Sequence, residues 1–193
     1  SGNMGPERQG DVPFGTITDI SESALKKGLL YAGTDDGQVH VTKDDGATWS
    51  KINNGLPNKW VSRVVASKYD EGKVFVSLTG YREDDFEAYL YVSTDFGETW
   101  KSLANNMPSE SINVIREDPT DQDILYVGTE LGAYCSIDNG KAWYSLCKTL
   151  PTCAVHDLAL HAGTGDLVAG THGRSAFVLN TKEIQKKKQG IVK

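Results

Sequence analysis

Short segments in which apolar and polar residues alternate follow one another along most of the chain. Between residues 61 and 103 the pattern gives four of them: Val61–Ser67, Lys73–Thr79, Tyr89–Thr94 and Trp100–Leu103. These segments are rich in β-branched and aromatic residues and are bounded by Gly, Asp, Asn and Pro, which is typical of β-strands joined by turns. A helical signal occurs only as one weak turn near residues 182–187. The sequence therefore predicts an all-β fold.

The same order of four segments occurs before and after this stretch. The segments "TITDIS", "LLYAGT", "QVHVTK" and "WSKI" precede it, and "INVIRE", "ILYVGT", "AYCSI" and "WYSL" follow it. A fourth set begins with "VHDLAL", "DLVAGT" and "SAFVLN" but has no clear fourth strand. Four-stranded units that repeat about every 40 to 50 residues predict the blades of a β-propeller.

The repeats divide the chain into three parts. We expect a disordered or expression-derived leader at 1–11, propeller blades at 12–181 and a Lys-rich C-terminal tail at 182–193. The blades themselves are placed at about 16–57, 58–108, 109–151 and 152–181.

One motif recurs where the third segment of a unit meets the fourth. It reads [Ser/Thr]-x-Asp-x-Gly-x-x-Trp, and its tryptophans lie 51 and 43 residues apart. The glycine can adopt the positive φ of a turn, and the aspartate can accept hydrogen bonds from the turn's amides. The hydroxyl can tie in the preceding strand, while the tryptophan covers the hairpin and packs between blades. The motif predicts a structural role for twelve residues: Thr42, Asp44, Gly46, Trp49, Ser93, Asp95, Gly97, Trp100, Ser136, Asp138, Gly140 and Trp143.

This motif is the Asp box, or BNR repeat, and the chain resembles Asp-box propellers over about residues 12–181. That class includes sialidases, xyloglucanase-type glycoside hydrolases and sortilin-like receptors. The ending "VHDLALHAGTGDLVAGTHGRSAFVLN" is similar to the last blade of large bacterial sortilin-like proteins. The resemblance implies a secreted or periplasmic location and a structural role for the boxes. In enzymes of this class the ligand binds on the face opposite to the box turns.

That opposite face, here called the link face, carries the turns between second and third strands and the links between blades. Aromatic rings beside carboxylates and arginines suit a sugar or a peptide chain. The ligand-binding candidates on this face are Trp60, Arg82, Asp84, Asp85, His172 and Arg174. These residues also have structural alternatives. Trp60 could pack between blades, and Arg174 could bond to nearby carbonyls. The acidic insert at 80–89 could be a solvated loop. Calcium or a basic partner at that insert is a further alternative.

Composition removes several function classes. A net charge of −6 over 193 residues argues against a general nucleic-acid binder. No apolar run reaches the ~18 residues of a membrane span, and "SGNMGPERQG" lacks the regions of a signal peptide. The three cysteines have no metal-ligand spacing and leave the pairing of Cys147 with Cys153 open. We predict no cofactor and no metal.

Enzyme and binding module are the two function hypotheses. A glycoside hydrolase needs two carboxyl groups that flank the scissile bond. The candidates for such a pair are Asp35 and Glu130, although acidic residues are common at hairpins and Asp35-Asp36-Gly37 reads as an ordinary turn. We therefore predict no catalytic residue. The preferred hypothesis is a non-catalytic binding or scaffolding propeller that recognises a protein segment or a glycan. The alternative is a xyloglucanase-type, glycoside-hydrolase-like domain.

The number of blades also bears on assembly. Three complete blades and part of a fourth are few for a propeller, so we expect part of a larger propeller. An open arc exposes strand edges and invites association with another copy. The segment "DVPFG" could supply the missing outer strand, but Pro13 and Gly15 make it a poor strand.

Overall fold

The fold consists of four antiparallel sheets that follow one another along the chain. The computed structural model describes residues 15–146, 150 and 152–191. Blade 1 contains β1 (Ile17–Glu22), β2 (Leu30–Thr34), β3 (Val39–Thr42) and β4 (Ser50–Lys51). Blade 2 contains β5 (Trp60–Ala66), β6 (Val74–Gly80), β7 (Asp85–Ser93) and β8 (Lys101–Ser102). Blade 3 contains β9 (Ile112–Glu117), β10 (Leu125–Thr129), β11 (Ala133–Ser136) and β12 (Tyr144–Ser145).

Blade 4 differs from the others in having three strands among the described residues. These are β13 (Val155–His161), β14 (Asp166–Thr171) and β15 (Ala176–Asn180). Within every sheet the strands lie side by side in chain order. The all-β prediction and the assignment of repeating blades are confirmed.

A separate apolar core lies at each of the three junctions between consecutive blades. We call the side of a blade that packs on the preceding blade its leading face, and the other side its trailing face. Successive side chains of a strand point to opposite faces, so one strand serves two cores. In β6, Val76 packs toward blade 1 and Phe75 toward blade 3. The cores therefore sit between the sheets, and each blade is held by its neighbours.

The box turns have one geometry in all three copies. Their glycines have positive φ values of 88°, 91° and 81°. In the second box, Asp95 Oδ1 accepts a hydrogen bond from Thr99 N at 2.9 Å. Ser93 Oγ donates to Asp95 Oδ1 at 2.6 Å and accepts from Gly97 N at 2.8 Å. Because Ser93 is the last residue of β7, its hydroxyl ties the preceding strand to the turn.

A threonine outside the predicted motif strengthens two of the boxes. Thr48 Oγ1 donates to Asp44 Oδ2 at 2.6 Å, and Thr99 Oγ1 donates to Asp95 Oδ2. The hydrogen bond from Thr48 is the main cause that lowers the pKa of Asp44 to about 2. Those from Ser93 and then Thr99 lower the pKa of Asp95 to about 2. Both carboxylates therefore remain charged acceptors at neutral pH.

The box tryptophans connect neighbouring blades. Trp100 Nε1 donates to Ile52 O at 2.8 Å, and Trp143 Nε1 donates to Leu103 O at 2.7 Å. Each acceptor immediately follows the fourth strand of the preceding blade. Trp49 belongs to the first blade and is 42% exposed.

Replacing Ser93 with alanine is expected to lower the free energy of unfolding by about 1–3 kcal/mol, since the amide of Gly97 loses its acceptor in a buried turn. Urea denaturation measures the change. Ser50→Ala on the exposed strand β4 is the matched control, with an expected change within about 0.5 kcal/mol. Equal stability of the two variants would rule out a stabilising role for the box hydroxyl.

The segment predicted to be a Lys-rich tail, with one weak helical turn near residues 182–187, forms helix α1 (Lys182–Ile191). Ile184 packs against the core between blades 3 and 4. Lys188 Nζ lies 2.6 Å from Asp121 Oδ1 and 2.9 Å from Asp123 Oδ2, both in the turn between β9 and β10. The helix therefore docks on the blades through one apolar and one ionic contact.

Some sequence-based expectations lie outside the described residues. They concern the leader at 1–11, residues 11–14 of the suggested closing strand, and Cys147 with its pairing to Cys153. Cys153 itself is buried.

Candidate functional site

The link face forms where turns between second and third strands bond to the residues that lead into the first strand of the same blade. Asp35 N donates to Thr16 O at 3.0 Å, and His172 N donates to Ala154 O at 2.9 Å. The same contact occurs in blade 3, from Glu130 N to Ser111 O at 3.2 Å. Backbone bonds of this kind fix the turns in place. Blades 1, 3 and 4 therefore each contribute to this face a turn that is held by a backbone hydrogen bond.

The turn of blade 2 is the largest of the four. Strands β6 and β7 have 7 and 9 residues, against 5 and 4 for β2 and β3 of blade 1. A 3₁₀-helix at Tyr81–Glu83 and a left-handed Asp84, with φ of 56°, close the turn. We call residues 80–89 the tip hairpin. Because its strands are longer, the tip hairpin is the longest of the turns on the link face.

Two acidic residues attach the tip hairpin to the preceding link. Lys59 Nζ lies 2.8 Å from both Glu83 Oε2 and Asp85 Oδ2. Tyr89 Oη also donates to Asp85 Oδ2 at 2.8 Å. The hydrogen bond from Lys59, followed by that from Tyr89, lowers the pKa of Asp85. These groups hold the hairpin against blade 2, and no cluster of three metal-ligating side chains occurs in the described part of the chain.

Trp60 lies under the tip hairpin at the start of β5. The guanidinium carbon of Arg82 is 4.1 Å from its ring centroid, which is cation–π geometry. Two ligand-binding candidates from the sequence are thus in contact with each other. One face of the Trp60 ring is covered by this arginine.

Two aromatic residues that the sequence analysis did not single out are exposed on the tip hairpin. Tyr81 is 52% exposed and Phe86 is 47% exposed. Their ring centroids are 5.8 Å apart at an interplanar angle of 77°, an edge-to-face pair. The available signal was the presence of two aromatic residues in an otherwise acidic insert.

The two carboxylate candidates for catalysis are bonded to the protein itself. Asp35 is 7% exposed, and its Oδ1 accepts from Gly15 N at 2.6 Å and from Thr16 N at 2.9 Å. Glu130 Oε1 accepts from Asn113 Nδ2 at 2.9 Å. They belong to blades 1 and 3, which do not adjoin each other. Asp35 holds the entry of the chain into β1.

His172 and Arg174 lie on the turn of blade 4. The His172 ring meets the His156 ring edge-to-face, with centroids 5.5 Å apart. Gly173 has a φ of 74°, which the turn requires. Arg174 is exposed, and no ion pair to it occurs among the described residues. Its guanidinium is therefore accessible on this face, whereas Asp84 is accessible on the tip hairpin of blade 2.

Comparison with known proteins identifies a family and relatives that share this architecture. The family model of Sortilin-Vps10, described as sortilin, neurotensin receptor 3, matches residues 37–190. The xyloglucanase Xgh74A of Acetivibrio thermocellus is 28% identical over 133 residues, covering 61% of this chain and 16% of the enzyme. The chain thus spans less than a fifth of that relative's length.

Solved structures share the fold at low sequence identity. The GH74 enzyme of Niastella koreensis superposes with a TM-score of 0.71 at 14% identity, over 86% of this chain and 29% of the enzyme. YCF48 bound to D1 peptide superposes with a TM-score of 0.57 at 18% identity, over 89% of this chain and 57% of YCF48.

Within the described residues, no helix has both the length and the apolar character needed to cross a bilayer. The family match covers most of the chain, including the three complete box motifs from residue 42 onward. It agrees with the repeated blades, the box turns and the tryptophans that join them. The chain therefore belongs to the Sortilin-Vps10 family.

Proposed function

We propose that this protein is a non-catalytic binding module that recognises a protein segment on its link face. The observation that carries the proposal is the exposed edge-to-face pair of Tyr81 and Phe86 on the tip hairpin. Exposed aromatic residues on a fixed support are the side chains that most often dominate the energy of protein recognition.

The support of this aromatic pair favours binding, because little of the hairpin needs to be ordered by the ligand. The ion pairs of Lys59 with Glu83 and Asp85 hold the hairpin, and Arg82 is stacked on Trp60. A binding surface that is ordered in advance loses less conformational entropy on association. The tip hairpin has this property.

The same stack favours a protein segment over a glycan. A sugar platform uses the open face of an aromatic ring, and the Trp60 ring is covered on one face by Arg82. Tyr81 and Phe86 pack edge-to-face on each other and present apolar area to solvent. Asp84 and Glu87 add negative charge beside them. We infer a partner segment with apolar side chains next to a basic one. A peptide complex is also known for the structural relative YCF48.

Selection from a random peptide library displayed on phage tests the proposal. Enriched peptides are expected to bind the protein, and Phe86→Ala is expected to raise their Kd at least about tenfold, because an aromatic anchor is lost. Leu131→Ala is the matched control, since Leu131 is 51% exposed on the corresponding turn of blade 3. Failure to enrich any peptide, or equal binding by Phe86→Ala, would exclude this function for the hairpin.

The second candidate is a glycoside-hydrolase-like domain, favoured by the similarity to xyloglucanase Xgh74A. Under this hypothesis Asp35 and Glu130 would be the carboxyl pair, although Asp35 is engaged by two backbone amides. Release of reducing ends from xyloglucan measures the activity. Activity that is lost in both Asp35→Asn and Glu130→Gln would replace the binding proposal.

A further inference from the structure

A box tryptophan fills part of the space between the sheets at two of the three junctions. Trp100 packs in the core between blades 1 and 2, and Trp143 packs in the core between blades 2 and 3. Their indole N–H groups donate to Ile52 O and Leu103 O in the preceding blade. Ile52 and Leu103 are buried, with 8% and 5% exposure. One indole and one carbonyl acceptor are therefore part of each of these junctions.

The junction between blades 3 and 4 has the acceptor but not the tryptophan. Blade 4 contains no tryptophan, and it is followed by helix α1 instead of a box turn. The amide of Leu146 donates to Ala133 O of β11 at 2.8 Å, and the amides of Ile52 and Leu103 make the equivalent bond to the third strands of blades 1 and 2. Leu146 is therefore the equivalent acceptor residue. It is only half-buried, and no donor to Leu146 O occurs among the described residues.

A cavity of about 60 Å³ with an apolar wall lies beside Leu146 in this junction. Leu158, Ala169 and Phe177 form part of the wall and lie side by side on the leading face of blade 4, at the second residue pair after the register shift of the inner strand. The same pair positions hold Val64, Val76 and Tyr91 in blade 2, and Ile115, Val127 and Tyr134 in blade 3. Those residues belong to the cores that contain Trp100 and Trp143. The cavity therefore lies at the position of an indole.

Small side chains and the position of helix α1 leave this cavity unfilled. Ala133, on the trailing face of blade 3, and Ala169 stand where the junction between blades 2 and 3 has Leu90 and Val127. Ile184 of helix α1 packs on the same core but is not among the residues that line the cavity. An apolar cavity of this kind stays dry and can bind an aromatic guest.

We propose that this cavity binds a tryptophan side chain of a partner protein, whose indole N–H donates to Leu146 O. The two filled junctions specify the occupant, because they show which side chain fits between such walls and which carbonyl it bonds. Tryptophan combines a large apolar surface with a single donor, as the site requires.

The cavity is accessible to a partner from the surface. Val178 in its wall is 67% exposed. Trp100 is itself only half-buried in its junction, so a bound indole does not have to be enclosed completely. The site lies between blades 3 and 4, whereas the tip hairpin belongs to blade 2. This inference is therefore independent of the function proposed for the tip hairpin.

Selection from a phage-displayed peptide library with one fixed tryptophan tests the site. The Phe86→Ala protein is the target, so that enrichment does not depend on the tip hairpin. Enriched peptides are expected to shift the methyl NMR signals of Leu146, Leu158 and Leu167, which line the cavity. Replacing the fixed tryptophan with alanine is expected to raise Kd at least about tenfold. Replacing it with benzothienylalanine, which has the same shape but no N–H, is expected to raise Kd about three- to tenfold.

A variant with a filled cavity provides the test on the protein side. Ala169→Phe places a ring in the cavity and is expected to raise the Kd of the enriched peptides at least about tenfold. Ala159→Phe, an exposed change on the same blade, is the matched control and is expected to leave Kd unchanged. Circular dichroism establishes that both variants are folded. The benzothienylalanine peptide tests the site without any change to the blade if Ala169→Phe does not fold.

Several results would overturn the proposal. Failure to enrich any peptide would mean that no tryptophan-bearing segment binds outside the tip hairpin. Equal binding by Ala169→Phe, or methyl shifts confined to other blades, would place the tryptophan elsewhere. Equal affinity of the benzothienylalanine peptide would exclude Leu146 O as the acceptor. Binding of free N-acetyl-tryptophanamide as tight as that of the peptides would identify a small aromatic ligand instead of a partner protein.

Discussion

Replacing Lys73 with methionine is expected to lower the free energy of unfolding by about 3–5 kcal/mol, because the substitution leaves a buried carboxylate without its cation. Lys73 Nζ lies 3.5 Å from Glu117 Oε1, and the two side chains are 9% and 1% exposed. The Glu117 carboxylate also accepts from Ser67 Oγ and Lys68 N, each at 2.8 Å. Those bonds hold the carboxylate in place but do not neutralise it.

The position of this ion pair explains why its loss affects the whole fold. Lys73 belongs to blade 2 and Glu117 to blade 3, so the pair crosses a junction. Lys73 Nζ also donates to Asn139 Oδ1 at 3.1 Å, in the third box turn. Denaturation in urea measures the loss, and Lys26→Met is the control. Lys26 Nζ lies 2.8 Å from Glu71 Oε1, and both side chains are 43% exposed. The control is therefore expected to lose at most about 1 kcal/mol of unfolding free energy.

A double variant separates the charge effect from the loss of packing. Lys73→Met combined with Glu117→Leu removes both charges, and replacing a buried pair by apolar groups is often neutral. Stability is therefore expected to recover toward the wild-type value. An equal loss of unfolding free energy in Lys73→Met and Lys26→Met would contradict this prediction. It would mean that the amide and hydroxyl donors alone stabilise the Glu117 carboxylate.

The strands and box turns could be predicted from the sequence because their causes are local. Alternation over five or six residues specifies a strand, and a glycine with positive φ next to an aspartate specifies a turn. Lys73 shows the limit of such reasoning. It precedes β6 and resembles a solvated residue at a strand end, yet its partner is 44 positions away in blade 3. Contacts across junctions have no signature in either segment alone.

The same limit applies to the C-terminal helix and to the candidate site. The sequence indicated only a Lys-rich tail here, whereas Lys188 pairs with two aspartates in the turn between β9 and β10. On the link face, Trp60 and Arg82 were both named as ligand-binding candidates, whereas their stacking on each other depends on the path of the tip hairpin. Tyr81 and Phe86 were missed because exposure cannot be deduced from residue type.

Truncation of Leu125 to alanine is expected to destabilise the protein by about 2–5 kcal/mol, the range for a leucine deleted from a core that cannot collapse. Leu125 lies on the central strand β10, is 0% exposed and packs with Phe75 and Leu90 of blade 2. Leu131→Ala on the same blade is the control, with a change within about 0.5 kcal/mol because Leu131 is 51% exposed.

The comparison between these leucines tests which feature governs the stability of the blades. The Leu125 substitution affects only the core between blades 2 and 3, while every box hydrogen bond stays in place. If Leu125→Ala loses more unfolding free energy than Ser93→Ala, burial at the junctions stabilises the fold more than the hydrogen bonds of the box turns do. The box turns then act as local supports. A loss no greater than that of Leu131→Ala would mean that the junction relaxes around the truncated side chain, and that the blades are stabilised mainly within themselves.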